Sequence, residues 1–558
     1  MKICGFHTAP CHDVAYTILE DGYPIIHYEL ERYNRIKMTS GDIISVLRET
    51  YDEADNITHF SCNWRGLHQG PDHAFDSPYS LRNHTSESYA WIESTVKKNN
   101  GKFYRPSHHL THAANAFFSS NFEESLIVTM DGGGGDKNTE GQYVLSSFAI
   151  FEGRDIEVTP IKIFPYKEIN IGGYWSSSTE KIFGLSSSSP IGNQSGSVMA
   201  LAALGDPEKY YKDFMSTEFR PANLNSVLSK FFNSAKGSQL SYDVAAALQK
   251  TTEDFVKRTI APFVKESKSR NLCLSGGVAL NSVMVGKIWD WFGDRFDNIY
   301  VCPVPYDAGV AIGCAQLIWH QYLENPRIEW KDNFTPYLGQ IYKDEEIMSS
   351  LKKFKDNNKI DFETCSMDGL VQKLANQNIV SIFGGRSESG RRALGNRSIL
   401  ADPRSPSMKN TINEKVKHRQ WYRPFAPSIL RERVSEWFER DVDSPYMSMV
   451  VNFKIEKRDI VPAVVHFDGS ARLQTVTEND NQWYYNLLKH WEAHTGVPIL
   501  LNTSFNDREP IVETPENAID CFLRTNIDHL YFYEPQILVS KPKKIREIIH
   551  RQERPVKR

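Results

Sequence analysis

No stretch of this 558-residue chain approaches the ~18 consecutive apolar residues that a membrane span needs. Its opening, MKICGFHTAP, lacks the apolar core of a secretory leader. A soluble, cytoplasmic protein without membrane attachment is therefore expected. Cysteine is also sparse: eight residues, each standing alone, with no C-x-x-C spacing. That removes a disulfide framework and fits a reducing compartment, where a thiol packs as a small hydrophobe. There is no low-complexity tract and no repeat of fixed period, and a net charge of −4 gives no bulk attraction for nucleic acid. What is present, 40% hydrophobic and 24% charged residues, describes a globular chain too long for one core, so two or more domains are expected.

The first third alternates short apolar runs with turn signals. VAYTILEDGYPIIHYEL reads as a hairpin about Asp21-Gly22. Three strand-then-glycine junctions follow: SLIVTM before Asp131 and four glycines, NLCLSGG before a helical pattern, and YVCPVPYDAG before the small-residue helix VAIGCAQLIWHQYL. Such turns offer backbone amides and helix N-termini to phosphates, which makes Gly132, Gly133, Gly276 and Gly277 candidate nucleotide contacts between two α/β lobes. The pattern loosens from Asn325 to Tyr337, placing a boundary near 335. A second α/β unit resumes with IVSIFGG.

Within SHHLTHAANAFFSS, His108 and His112 lie at i and i+4 on one face of a helix, close enough to ligate one ion. Asp131 and Asp307 each stand at a strand-to-turn junction. The mixed nitrogen and oxygen set suits a divalent metal such as Fe²⁺, Mn²⁺ or Zn²⁺. In the second half ten Lys or Arg face three acids between Arg386 and Arg423, through GGRSESGRRALGNRSILADPR and INEKVKHRQWYRPFAP. Guanidinium forks and lysine point charges in that density supply fixed donors for small anions. A further basic stretch from Lys541 to Arg558 reads as a solvated end.

These motifs together resemble the NodU/CmcH-type O-carbamoyltransferases. The resemblance runs from about residue 5 to 540 and rests on APCHDVAYTILEDG, H-x-x-x-H at 108, DGGGG at 131, QSGSVMALAALG at 194, SGGVALN at 275, DAGVAIG at 307 and the arginine-rich segments. It implies an α/β chain with an N-terminal actin-like ATPase domain (a duplicated RNase H-like fold) over 1–335 and a YrdC-like domain over 336–545; the basic composition adds a tail over 546–558. It further implies that ATP, with Mg²⁺, and carbamoyl phosphate give carbamoyl-adenylate in the second domain, and that the first transfers the carbamoyl group to an acceptor hydroxyl. His108, His112, Asp131 and Asp307 would hold the metal, Fe²⁺ first among the three. His12 would be the base, an imidazole being able to accept a proton at neutral pH. Gly276, Gly277 and Asn281 would line the nucleotide pocket, while Arg392, Arg397, Lys417, Arg423, Arg472, Asn502 and Ser504 would contact carbamoyl phosphate and ATP.

Two positions depart from the family pattern: Arg391 stands where proline is common and Asn396 where histidine is frequent. The acceptor stays open between a sugar or small metabolite and a hydroxymethyl-pyrimidine in DNA, and a homodimer is the assembly to test. Two alternatives are a tRNA threonylcarbamoyl-transferase-like enzyme and a non-catalytic actin-like ATP-binding protein. SESGRRALGNRS argues against the first. The second would need neither metal histidines nor a base.

Overall fold

The computed structural model of the chain describes residues 1–8, 12–63, 86–187, 192–234, 237–331 and 333–542; the basic tail expected over 546–558 lies outside them. The chain divides into two compact units, Met1–Phe334 and Thr335–Arg558.

The first unit contains one sheet pattern twice. Strands β1 (Lys2–His7), β2 (Ala15–Glu20), β3 (Tyr23–Glu29), β4 (His59–Cys62) and β5 (Phe103–Tyr104) stand in the order β3-β2-β1-β4-β5. The first three are antiparallel, and β1-β4-β5 are parallel. The β2–β3 hairpin turns at Asp21 and Gly22, both at positive φ (48° and 87°), as the Asp-Gly signal predicts.

The second sheet is built from β6 (Glu124–Lys137), β7 (Tyr143–Arg154) and β8 (Glu157–Pro165). After a short pair, β9 (Ser186–Ser187) with β10 (Gly192–Asn193), come β11 (Asn271–Ser275) and β12 (Asn298–Val301). Its order, β12-β11-β6-β7-β8, and its strand senses match the first sheet. This is the duplicated, actin-like arrangement that the resemblance implies.

One local expectation is corrected. Asp131 does not end a strand before a glycine turn; β6 continues through the tetraglycine, with a register break between Met130 and Gly134. Asp131, Gly132 and Gly133 thus form a bulge, which frees the Asp131 side chain from the alternation of the ladder.

The helices His108–Phe118 and Val310–Leu317 pack on each other in this unit, and glycines set how closely. A Cβ on Gly313 would lie 1.9 Å from the Thr111 carbonyl oxygen, and one on Gly5 of β1 would lie 2.0 Å from that of Ala311. The apolar face Ala113, Ala114, Phe117 and Phe118 packs with Ile127, Phe151 and Leu317 in one core cluster. The buried packing holds the helix start, and the two histidines on it, against the second sheet.

The second unit is a nine-stranded mixed sheet of β13 (Asp361–Thr364), β14 (Val380–Phe383), β15 (Arg397–Ala401), β16 (Ala426–Leu430), β17 (Met449–Asn452), β18 (Ser470–Val476), β19 (Ile499–Ser504), β20 (His529–Phe532) and β21 (Ile537–Ser540). Their order is β13-β21-β20-β14-β15-β19-β16-β18-β17. The helix Gln482–Thr495 covers it, its Trp491 fully buried and donating from Nε1 to the Ile499 carbonyl at 2.8 Å. No helix among the described residues is long and apolar enough to cross a membrane.

Candidate active site

In the first unit His108, His112, Asp131 and Asp307 meet. One ligand atom from each lies within 4.8 Å of all the others, and all four residues are buried. They arrive from three local devices. The histidines occupy the first and second turns of their helix, Asp131 leaves the β6 bulge, and Asp307 opens the turn Asp307–Gly309 before the Val310 helix. Gly134 completes the arrangement: a Cβ there would sit 2.1 Å from Cγ of the His108 ring, so only glycine lets that ring lie on the strand.

His112 Nε2 approaches Asp307 Oδ1 to 3.3 Å, and His108 Nε2 lies 3.2 Å from Asp131 Oδ2 and 3.6 Å from Asp307 Oδ1. Neither ring nitrogen of His112 makes a hydrogen bond although both are buried. Buried polar atoms are almost always paired, so a ring that stands among carboxylates without a hydrogen bond fits the role of a cation ligand. The donor set therefore fits the divalent ion expected from the sequence.

Asp131 is held below the usual carboxylate range. Burial and the Asp307 charge push it upward, and the hydrogen bond to His108 with the nearby imidazoles outweighs them. Its other oxygen accepts the Gly277 amide at 2.9 Å. By contrast His109, the third histidine of the segment, sits on Thr129 Oγ1 at 2.7 Å, and burial lowers its pKa to about 4.

His12 lies at the edge of this group, its Nδ1 3.0 Å from Asp13 Oδ2 and 3.9 Å from Asp307 Oδ2. With Nδ1–H donated to Asp13, Nε2 is the ring nitrogen whose lone pair can accept a proton. The sequence reading passed over Asp13, a single acid beside the histidine with no motif of its own. It also passed over His7 and Asn63: the Asn63 amide bridges Nδ1 of His7 (2.9 Å) and Nδ1 of His108 (3.0 Å), joining the ends of β1 and β4 to the ligand helix. The parallel pairing of β1 with β4 sets the ends of those strands, and with them His7 and Asn63, side by side.

The glycines anticipated as nucleotide contacts border the same bulge. Nothing lies within 4 Å of where a Gly132 Cβ would be, while Gly172, in the first turn of the helix Ile171–Lys181, would place one 2.7 Å from the Gly132 nitrogen. Gly133 has φ +139° and Gly276 φ +88°, where a Cβ would meet the Met130 carbonyl at 2.1 Å. Asn281 caps the helix Ser282–Phe292 through the Met284 amide and shares its side chain with Gln249.

In the second unit the Glu388 carboxylate accepts the amides of Leu394 (2.8 Å), Asn396 (2.7 Å) and Arg397 (3.1 Å), folding the SESGRRALGNR loop that carries Arg392. Arg423 and Arg472 stand with Arg392 and Arg419 in one cluster. Burial lowers the pKa of Arg472, then the charges of Arg392 and Arg423; burial likewise lowers that of Arg419, then Arg423 and Arg472. Among the described residues no carboxylate pairs with Arg419, Arg423 or Arg472, so the cluster favours an anion. Arg419 was not singled out in the sequence, where it was one basic residue in a dense run.

Three other expected contacts are committed inside the protein. The Arg397 guanidinium donates to the carbonyls of Gly384 (2.5 Å), Asn396 (3.1 Å) and Gly385 (3.3 Å) and stands 3.6 Å above the Phe383 ring. Lys417 donates to the carbonyls of Ser504 (2.6 Å) and Asn506 (2.9 Å) and to Asn506 Oδ1 (2.6 Å). Asn502 donates to Ala393 O and Gln474 Oε1. Asn396, one of the two departures, accepts from Asn481 at 2.9 Å and donates to the Arg386 carbonyl at 2.8 Å.

Comparison with known proteins joins the two halves. Residues 86–316 match the family described as "Carbamoyltransferase N-terminus", and residues 371–541 match "Carbamoyltransferase C-terminus". The nodulation protein NolNO of Sinorhizobium fredii is 33% identical over 560 residues, covering 93% of this chain and 78% of that protein. The nodulation protein NolO of Bradyrhizobium diazoefficiens is 35% identical over 447 residues, with 76% and 77% covered. Among solved structures, HypF of T. kodakarensis covers 57% of this chain and 47% of its own, at 14% identity and a TM-score of 0.36, a distance at which no function carries over.

Proposed function

The chain belongs to the carbamoyltransferase family and is a transferase; from that premise we propose that it is an ATP-dependent O-carbamoyltransferase using carbamoyl phosphate as donor. The work divides between residues 1–335, which carry the transfer, and the YrdC-like residues 336–545, which activate the carbamoyl group.

In the second unit water cleaves carbamoyl phosphate to phosphate and carbamate. A carbamate oxygen then attacks the α-phosphorus of ATP, brought with Mg²⁺, pyrophosphate leaves, and carbamoyl-adenylate results. Arg392, Arg419, Arg423 and Arg472 meet the charge that develops on the phosphoryl oxygens, and the mutual repulsion of these clustered cations supports that role. In the first unit the acceptor hydroxyl attacks the carbamoyl carbon, its proton passes to His12 Nε2, and AMP departs with the bonding electrons. Asp13 holds the His12 ring through its Nδ1. Gly132 leaves room for the adenylate to approach the backbone, and Gly133, Gly276 and Gly277 stand at the same bulge. His108, His112, Asp131 and Asp307 would hold a divalent ion, Fe²⁺ before Mn²⁺ or Zn²⁺, which when bound supplies positive charge to the adenylate phosphate.

The observation that carries this reading is the four-ligand group with the His12–Asp13 pair at its edge. An actin-like ATP-binding protein without chemistry needs neither. The test is incubation with ATP and carbamoyl phosphate, reading pyrophosphate release; none would end the proposal. Sugars, hydroxymethylated metabolites and hydroxymethylcytosine DNA, assayed by mass for a gained carbamoyl group, then identify the acceptor. DNA would show a steep fall of rate with salt that a neutral sugar would not.

A further inference from the structure

Two large aromatic side chains stand out of the second unit beside its arginine cluster. Trp421 is 54% exposed and Phe467 51% exposed, and their rings meet edge to face with centroids 5.6 Å apart. The Lys409 ammonium lies 4.2 Å from the centre of the Phe467 ring. Leaving two such rings in water sacrifices burial that either could have gained in a core. As a pair they present an amphipathic ledge with a cation at its rim.

The ledge is tied to the arginines by a buried asparagine. Asn413 Oδ1 accepts Nε of Arg419 at 2.7 Å, while its amide donates to the carbonyls of Trp421 (3.3 Å) and Arg423 (2.9 Å). Trp421 therefore stands between two arginines of the cluster, two residues from each, on a segment whose backbone one side chain fixes. On the opposite strand connection, Phe467 follows His466, whose ring bonds Ser470 at 3.2 Å, two residues before Arg472. Both rings thus adjoin the cluster through short, braced pieces of chain. A flat π-face beside Arg419, Arg423 and Arg472, with which no carboxylate pairs among the described residues, matches a ligand with a planar base at one end and phosphates at the other.

We propose that Trp421 and Phe467 form the stacking platform for the adenine of ATP, whose phosphates lie on Arg419, Arg423 and Arg472. This rests on the reading of that cluster as the nucleotide-activating site. Stacking is indifferent to base-edge pattern, so the platform supplies affinity, and base selectivity comes from other groups.

The test is calorimetric titration of the full chain with ATP and, separately, with tripolyphosphate, which offers the phosphates without the base. Trp421→Ala and Phe467→Ala should each weaken ATP binding by roughly 5- to 150-fold, the range for losing one base–aromatic stack. Tripolyphosphate binding should be unchanged, and Trp421→Phe should recover most of the ATP affinity. Both rings are half in water, so the variants should melt with the wild type. Equal weakening of both ligands would mean that the rings merely brace the arginine loop and would overturn the platform, as would unchanged ATP affinity in the double variant. Loss of binding to hydroxymethylcytosine DNA or a sugar with ATP affinity intact would overturn it too, assigning the ledge to the acceptor. If wild-type protein bound neither ATP nor tripolyphosphate, the nucleotide reading of the cluster would fail along with the platform; ATP binding that ignores both rings would sink the platform alone.

Discussion

Replacing His112 by leucine should separate the metal from the fold. Both ring nitrogens of His112 are buried without a hydrogen bond, and Nε2 lies 3.3 Å from an equally buried carboxylate, that of Asp307. Each buried unsatisfied group costs about 1–3 kcal/mol, so in chelator-stripped protein an apolar side chain of similar size should relieve that cost. At pH 8, where a free imidazole is neutral, the stripped His112→Leu variant should melt with or a few degrees above stripped wild type. Metal reverses the order. An ion at one hundred times its dissociation constant stabilises the native state by about 2.7 kcal/mol, and wild type should gain that increment while the variant gains little. The assay is scanning calorimetry of stripped protein titrated anaerobically with Fe²⁺, Mn²⁺ and Zn²⁺, with bound metal counted on the same samples. A variant that loses about 2 kcal/mol or more when stripped, yet keeps both its metal and its metal-dependent shift, would refute the reasoning and make His112 an ordinary core histidine.

Four further outcomes are expected. Gly313→Ala, whose Cβ would lie 1.9 Å from the Thr111 carbonyl, should cost about 1–3 kcal/mol by overpacking and lower bound metal per chain although no ligand changes, as unfolding and metal analysis would show. Asp13→Asn should slow transfer to hydroxyl acceptors about 10²- to 10⁴-fold by disorienting the base, while pyrophosphate release from ATP and carbamoyl phosphate continues. Arg472→Met should abolish tripolyphosphate binding in a protein that melts no lower than wild type, since the guanidinium it removes is recessed and repelled by Arg392 and Arg423. The last concerns acid stability. Burial lowers His27 to about 3 and His320 to about 4, so the unfolded chain takes up these protons first as pH falls. Stability should be whole above about pH 6.5 and decline below it, by up to about 1.4 kcal/mol per pH unit for each group. Unfolding midpoints at pH 7, 6 and 5 should show the slope, and His320→Phe should flatten it; an unchanged slope in that variant would exclude His320.

Much of the chemistry was legible because it is written locally. The i, i+4 spacing of His108 and His112 puts both on one helix face wherever that helix packs, and the Asp-Gly turn follows from a short pattern. Asp307 and Asp131 could be chosen because each ends an apolar run. The duplicated sheet was not visible as a repeat, because strand order and sense can recur without any recurrence of residues. The glycine run at 132–135 read as a turn and proved to be a bulged strand, since what keeps it extended is pairing with β7, a partner the local pattern does not contain.

The sequence by itself determined the residue types, the helix and turn signals and hence the class of chemistry. Tertiary structure decided which side chains are available to perform it. Arg397 and Arg419 look alike along the chain, yet one is locked onto three carbonyls and the other joins a cluster of cations. Asp13, His7, Asn63 and Gly134 matter only through what stands opposite them. The reason is range: backbone preferences and helical periodicity act over a few residues, whereas burial, pairing and close approach are set by neighbours from distant parts of the chain that only the folded packing brings within a few ångströms.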